Sequence, residues 1–464
     1  MTTRGALLPL SLWRCTTKRR MGGLQSANNK DLSKETVVIV GGGYAGAKVA
    51  KDLDSKFNVV LIDRTNYFFH NVGSPRAFVD PTFAPALTIP YDKLLKRGQV
   101  IEAQVLKATA TELTLKGRDE PLKGFDYLVI ATGTSYAFPY KVPENNAKDV
   151  PKLYEAVADQ IAKAENVVIV GAGSTGLEAA TEIAEAYPKC HVTLVFSSPR
   201  VMPGPQWKDK FVAKFETQLA KLFPNIELVS DDRVDPTAES AAKFEAPESG
   251  SVTTKKGREL KADLVFWCIG GRVNSSAYEE TFATEKNFLK VDDTLLVQGT
   301  KNVFACGDCA ATTAAKTVMK AEEQAKIVVE NIKKLAAGKA LVPYKAGPDL
   351  NVTQLGHVGG AGQLPLFGGM VIGPKAVQTM KKDLFVGKFW KDLGYVTGGP
   401  KLVKSKIVLK NKTIFDDDGL DDVDDDNKKA KLQSFLKDLS PDYAAALAKG
   451  LLTTNGATTD GDHT

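Results

Sequence analysis

Residues Thr36-Val37-Val38-Ile39-Val40 form a short β-branched apolar run that predicts a strand. It breaks at once into Gly41-Gly42-Gly43-Tyr44-Ala45-Gly46, and a helical pattern then runs through Leu53. A second strand is predicted over Asn58 to Ile62, and it ends on Asp63. Strand, glycine turn, helix, strand and acid make the first half of a Rossmann unit. Each piece has a physical task. Gly41 makes the tight turn, Gly43 lets the backbone approach a pyrophosphate, and Gly46 lets the helix pack close to the strand. The helix start offers free N–H groups and a positive dipole end to phosphates. Asp63 lies about 20 residues past the loop, where a carboxylate accepts from ribose hydroxyls.

The same grammar recurs later in the chain. Asn166-Val167-Val168-Ile169-Val170 leads into Gly171-Ala172-Gly173-Ser174-Thr175-Gly176, then a helix to about Ala186 and a strand from His191 to Phe196. Two such units specify two dinucleotide sites far more sharply than one does. The second differs from the first in its acid. Phe196 stands where Asp63 stands, and Ser197, Ser198 and Arg200 follow. No carboxylate is there to repel a 2′-phosphate, and Arg200 is near enough in sequence to pair with one. The second site is therefore expected to accept NADPH, and NADH as well; the plain alternative is that Arg200 points to solvent. Two further strand exits are predicted, Tyr127–Ile130 into Ala131-Thr132-Gly133, and Asn302–Ala305 into Cys306-Gly307-Asp308-Cys309-Ala310.

Composition narrows the class. The 464 residues are 43% hydrophobic and 25% charged, which suits two or three globular domains. No run of about 18 apolar residues occurs, so any membrane contact is expected to be peripheral. The net charge of +6 is matched by Arg4, Arg14, Lys18, Arg19, Arg20 and Lys30, which precede the first acid, Asp31. The body is thus near neutral, and a nucleic-acid partner is not indicated. Five cysteines (Cys15, Cys190, Cys268, Cys306 and Cys309) show no disulfide-framework spacing and fit a reducing compartment.

The ends carry separate signals. Residues 1–30 lack acids and resemble a mitochondrial transit segment. Initiation at Met21 would instead give Met-Gly-Gly-Leu-Gln-Ser, an N-myristoylation pattern with Gly22 as acceptor. That start implies a cytoplasmic protein held peripherally at a membrane. From Gly373 to Lys410 the chain is basic, including Lys375, Lys381, Lys382, Lys388 and Lys391, with Phe385, Phe389 and Trp390 interspersed. The segment reads as a second membrane signal, or preferably as a solvated lysine-rich face packed onto the body by its aromatics. The run Asp416 to Asp426 reads as an acidic linker; as a calcium loop centred on Gly419 it would put Ile414 at the first ligand position. Lys428 to Leu452 fits an amphipathic helix. His70, His191 and His357 do not cluster with Cys or acids at metal spacing, so no metal site is supported.

These residues resemble the two-dinucleotide-binding, disulfide-reductase-like flavoproteins, within them the apoptosis-inducing-factor-homologous branch and its ferroptosis-suppressor type. The similarity rests on Gly41 to Gly46, His70-Asn71 with Arg76, Ala131-Thr132-Gly133, Gly171 to Glu178, Asn274 to Tyr278, Gly307 to Ala310 and Asp383 to Val386, and it covers roughly residues 36–395. The resemblance implies FAD on the first glycine loop, Asp308 on its ribityl chain, Arg76 near the flavin and the Val100 backbone at the adenine. It also implies Lys316 near the isoalloxazine and Glu178 near the nicotinamide, and quinones as acceptors. Disulfide-reductase members carry a dithiol soon after the first loop, whereas residues 47–130 here contain no cysteine. Cys306 and Cys309 do form a C-x-x-C, but on a backbone committed to the cofactor.

The expected fold is α/β, with two nested Rossmann-like domains and a smaller α+β domain. The FAD domain is expected at 36–150 with 281–345, the NAD(P)H domain at 151–280 and the third domain at 346–410. Residues 1–35 are read as a targeting or disordered segment and 411–464 as an acidic linker and tail. The expected chemistry is hydride transfer from nicotinamide C4 to flavin N5, then two-electron reduction of a quinone. The rivals are a reductase for an iron–sulfur protein and a slow redox-signalling flavoprotein. Besides the quinone and a membrane surface, a homodimer is admitted as a partner state.

Overall fold

A computed structural model describes residues 34–142, 146–236, 243–244, 246–396 and 399–400. The start at Met21, Gly22, the transit reading, Lys401 to Lys410, the acidic run and the 428–452 helix lie outside the described residues.

Chain order sets the first layer. β1 (Thr36–Val40), α1 (Tyr44–Leu53), β2 (Asn58–Asp63), α2 (Ser74–Val79), β3 (Gln99–Glu102) and β4 (Tyr127–Ile130) open the FAD-type half. All five residues of β1 are buried, because β2 and β4 pair with it in parallel and helices or loops cover both faces. α1 turns Ala45, Ala47, Val49, Ala50 and Leu53 inward. Small residues on that face let it lie close to the sheet.

The chain then leaves through β5 (Thr134–Ser135) and α3 (Val150–Lys163) to build a second parallel sheet. Its elements are β6 (Asn166–Val170), α4 (Ser174–Ala186), β7 (His191–Val195), α5 (Asp209–Leu222), β8 (Ile226–Val229) and β9 (Leu264–Trp267), in strand order β8-β7-β6-β9. β10 (Arg272–Val273) brings the chain back, antiparallel to β5. β11 (Val303–Ala305) completes the first sheet in the order β11-β4-β1-β2-β3, and α6 (Val318–Ala336) packs on α1.

That β5–β10 pair is where the two halves exchange the chain. Tyr140, Val142 and Val150 share one core with Phe78 and Leu87 of the first half and Val167 and Leu194 of the second, so that core spans the boundary near residue 150. Ala277, Tyr278 and Phe282 already belong to the core of the first, before residue 281. The crossing strands carry two residues each, too few for a periodic signal.

The third unit is α+β. β12 (Asn351–Leu355), β13 (Gly359–Leu364) and β14 (Met370–Ile372) form an antiparallel sheet, followed by α7 (Pro374–Met380) and α8 (Val386–Asp392). Leu355, Val358, Ala361 and Leu384 share one core with α4 and α5, whereas Phe389 and Leu393 join the core beneath α1. This unit therefore seals the seam between the two nucleotide halves. Among the described residues no helix is long and apolar enough to cross a membrane.

The basic segment is not a uniformly solvated face. Lys381 and Lys388 are buried, because each is met by carboxylates: Lys381 by Glu178, and Lys388 by Glu322 and Asp392. Its aromatics do pack on the body; Phe389 is buried, and the Trp390 indole donates to the Ala86 carbonyl at 2.9 Å.

Candidate active site

The two glycine turns have nearly the same geometry. Gly41 has φ +99°, and a Cβ there would sit 2.4 Å from the Ala131 carbonyl oxygen; Gly171 has φ +109° and would meet the Cys268 carbonyl at 2.5 Å. A Cβ on Gly46 or Gly176 would meet the carbonyl of Gly41 or Gly171 at 1.8 and 1.9 Å. The central glycines, Gly43 and Gly173, have nothing within 4 Å of that position, and they cap α1 and α4 without any side-chain hydrogen bond. Each helix thus presents unclaimed first-turn N–H groups to open space, the arrangement that receives a phosphate.

In the first half, those groups border a cleft open to solvent that runs from the glycine turn to Lys316. Gly41, Gly42, Gly43, Tyr44 and Ala45 line one wall, and Asp63 stands at the end of β2. Asp63 is fixed by its neighbours: Gly42 N donates to Oδ2 at 2.5 Å, and Thr65 donates to Oδ1 from both N and Oγ1. The opposite wall holds Thr132, Gly133, Gly307, Asp308 and Lys316. Thr134 Oγ1 donates to Asp308 Oδ2 at 2.8 Å and aims that carboxylate. Gly307 N donates to Gln324 Oε1 at 2.8 Å, which ties the motif to α6. The cradle that a Cβ would fill, the open helix start and these acids together fit FAD.

Two lysines face the cleft, beside Arg64. Lys316 Nζ donates to the Ala310 carbonyl at 2.7 Å and lies 5.0 Å above the Phe288 ring. Lys141 donates to the Thr134 carbonyl and stands 5.1 Å from the Tyr136 ring centre. Burial pulls both ammonium pKa values down, and the nearby Asp308 charge opposes that shift. Lys141 escaped the sequence reading, because Phe138-Pro139-Tyr140-Lys141 matches no nucleotide motif.

His70 joins the cleft to the third unit. It is fully buried, and its Nε2 contacts the Leu384 carbonyl at 2.7 Å while Nδ1 contacts the Tyr44 hydroxyl at 3.0 Å. A carbonyl only accepts, so a proton sits on Nε2; the Tyr44 hydroxyl beside Nδ1 also reaches Asn71 Oδ1 at 2.9 Å. Burial, opposed by the Leu384 hydrogen bond, pulls the imidazole pKa down to about 4.

Other expected site residues lie elsewhere. Arg76 does not line the cleft; α2 packs on α4, and Arg76 Nε donates to Glu182 Oε1 of that helix at 2.7 Å. Val100 does not line it either, being half-buried in β3 opposite Leu61. Glu178, about one turn into α4, accepts from Lys381 Nζ at 2.6 Å, and Lys381 also donates to the Val352 carbonyl. Ser197 is exposed after β7. Arg200 neither points freely to solvent nor waits for a phosphate. Its guanidinium takes Glu216 in a two-point pair at 3.0 and 2.8 Å, and Asp209 at 3.0 Å.

Cys306 and Cys309 have no exposed surface. The Cys309 thiol is directed at the carbonyls of Ile130 and Cys306, both at 3.4 Å, and burial raises both thiol pKa values.

Comparison with known proteins agrees with this geometry. Residues 35–325 match the family model described as pyridine nucleotide-disulphide oxidoreductase. Apoptosis-inducing factor homolog B of Dictyostelium discoideum is 36% identical over 383 residues, 78% of this chain and 97% of that protein. Ferroptosis suppressor protein 1 of Homo sapiens is 33% identical over 371 residues, 77% of this chain and 95% of that protein. Among solved structures, a ferredoxin reductase from Rhodopseudomonas palustris shares the fold, with a TM-score of 0.58 at 21% identity over 71% of this chain and 82% of that one. The chain belongs to the pyridine nucleotide-disulphide oxidoreductase family, on the branch of the apoptosis-inducing-factor homologs and ferroptosis suppressor proteins, and is an NAD(P)H-dependent flavoprotein oxidoreductase that uses FAD.

Proposed function

We propose that this protein oxidises NAD(P)H and reduces a diffusible quinone, with FAD as its redox cofactor. The bound flavin supplies the two-electron chemistry that no side chain here provides. The observation that carries a diffusible acceptor is the state of the thiols. No cysteine lies between residues 47 and 130, and the C-x-x-C pair is buried with its thiol pKa values raised. A buried, protonated thiol is a poor nucleophile, so this pair does not relay electrons. The quinone itself rests on the resemblance to the apoptosis-inducing-factor-homologous branch.

The chain's own contribution is binding, orientation and charge. The first glycine turn holds the pyrophosphate and Asp63 the ribose. Asp308, aimed by Thr134, holds the ribityl hydroxyls. Lys316 and Lys141 would stabilise negative charge on a flavin bound in this cleft. Glu178, held by Lys381, stands on the nicotinamide side. Acceptance of NADPH rests on Phe196 replacing an acid.

Flavin-loaded protein supplied with NAD(P)H and a short-chain ubiquinone should form one quinol per NAD(P)H consumed. A protein whose flavin NAD(P)H reduces but no quinone reoxidises would overturn this reading; saturable turnover with a ferredoxin instead would favour an iron–sulfur acceptor. We further propose initiation at Met21 with an acyl chain on Gly22, placing the protein at the cytoplasmic face of a membrane. Intact mass from native cells tests this, and a chain begun at Met1 or trimmed as a transit form contradicts it.

A further inference from the structure

We propose that Glu182, Glu185 and His357 bind one divalent transition-metal ion of the zinc class, at the seam between α4 and the third unit. Glu182 and Glu185 are three residues apart on α4 and so share a face. His357 lies in the turn between β12 and β13. One carboxylate oxygen from each glutamate and one ring nitrogen of His357 lie within 4.8 Å of one another. Metal bonds of about 2.1 Å separate neighbouring ligands by up to about 4 Å, so a slight contraction closes the set.

An independent observation points to a cation. The Glu182 side chain is 5% exposed, and its Oε1 accepts from Arg76. Its Oε2 is buried without a hydrogen-bond partner. A buried carboxylate oxygen with no donor is costly. With His357 neutral, as metal ligation requires, two carboxylates face one guanidinium, and a dication offsets the remaining charge.

The donors are already arranged. Glu185 Oε2 accepts from His357 N at 2.9 Å and from Nδ1 at 2.7 Å, so an ion bound at Nδ1 would displace that ring proton to solvent. Gly356 N donates to Thr181 Oγ1 at 3.0 Å, which ties the turn to α4, and Gln378 Nε2 of α7 donates to the Gly356 carbonyl at 3.1 Å. The Glu185 and His357 side chains keep 12% and 24% of their surface, an entry path and room for a water ligand. One imidazole with two carboxylates suits Zn²⁺ better than Mg²⁺ or Ca²⁺, which prefer oxygen donors alone and more of them. His357 stands 172 residues from Glu185, so sequence spacing hides the set.

The test uses tag-free, flavin-loaded full-length protein, stripped with a chelator and titrated with Zn²⁺ alone by calorimetry and metal analysis. One Zn²⁺ per flavin is expected, with a higher melting temperature and no comparable uptake of Mg²⁺. His357→Gln should keep its flavin, weaken Zn²⁺ uptake at least about tenfold and lose the melting shift. Glu185→Gln provides the same readout if His357→Gln folds poorly. Absence of stoichiometric uptake overturns the site, and so does uptake unchanged in either folded variant.

Discussion

Lys381 Nζ donates to Glu178 Oε1 at 2.6 Å, across 203 residues of sequence. The pair joins the third unit to the helix that begins at the second glycine turn, and both side chains are largely buried. Removing the lysine leaves a carboxylate uncompensated, a cost of about 3–5 kcal/mol. Lys381→Met should lower the melting temperature and reduce kcat/KM for NAD(P)H about ten- to hundredfold while flavin content per chain holds. Adding Glu178→Gln should recover stability without activity. Thermal melts and steady-state kinetics on the single and double variants check both parts; equal recovery of activity would remove Glu178 from the site.

Asp308 accepts from Thr134 in the flavin cleft. Asp308→Ala should yield protein without the flavin absorbance, because the carboxylate assigned to the ribityl hydroxyls is gone. Thr134→Val keeps the carboxylate but loses its guide, so flavin should bind more weakly rather than vanish. Flavin-to-protein absorbance after gel filtration reads both, and full retention in Asp308→Ala contradicts the assignment.

What the sequence discloses follows from the range of each interaction. The glycine turns are legible because a turn, a close approach and a helix start all fall within six residues. Asp63 and Asp308 are legible because the first ends its strand and the second comes three residues after its own. Arg76–Glu182 and Lys381–Glu178 span 106 and 203 residues, and nothing local in either partner announces the other. Arg200 misleads for a different reason. Its local setting after β7 suits a phosphate, yet Glu216 reaches it from the facing side of α5, a relation fixed by helix packing rather than by spacing.

That clamp on Arg200 makes a cofactor prediction. Glu216 holds two guanidinium nitrogens, and Asp209 a third. Glu216→Gln removes the charge from the principal partner, so Arg200 becomes available to a 2′-phosphate. KM for NADPH should fall several-fold with KM for NADH unchanged. Steady-state kinetics with both nucleotides separates this from a general effect, since an equal change in both would show that Arg200 does not read the phosphate.

His70 supplies a pH dependence whose sign is fixed by burial. Its pKa is pulled down to about 4, while an unfolded histidine titrates near 6.5. Above about pH 6.5 the ring is neutral in both states and exacts no penalty. As pH falls towards 4, the unfolded chain takes up a proton that the buried ring refuses, and stability declines by about 3 kcal/mol in total. Lys388 and Lys381 disfavour the charged ring further, whereas the Leu384 carbonyl favours it. His70→Gln should be less stable near neutrality, because the contacts to Leu384 and Tyr44 are disturbed. Yet its stability should fall less steeply between pH 6.5 and 4 than that of the parent, the carboxylates being common to both. Urea unfolding at several pH values in that window provides the comparison, and parallel slopes would mean that folded His70 titrates as it does in the unfolded chain.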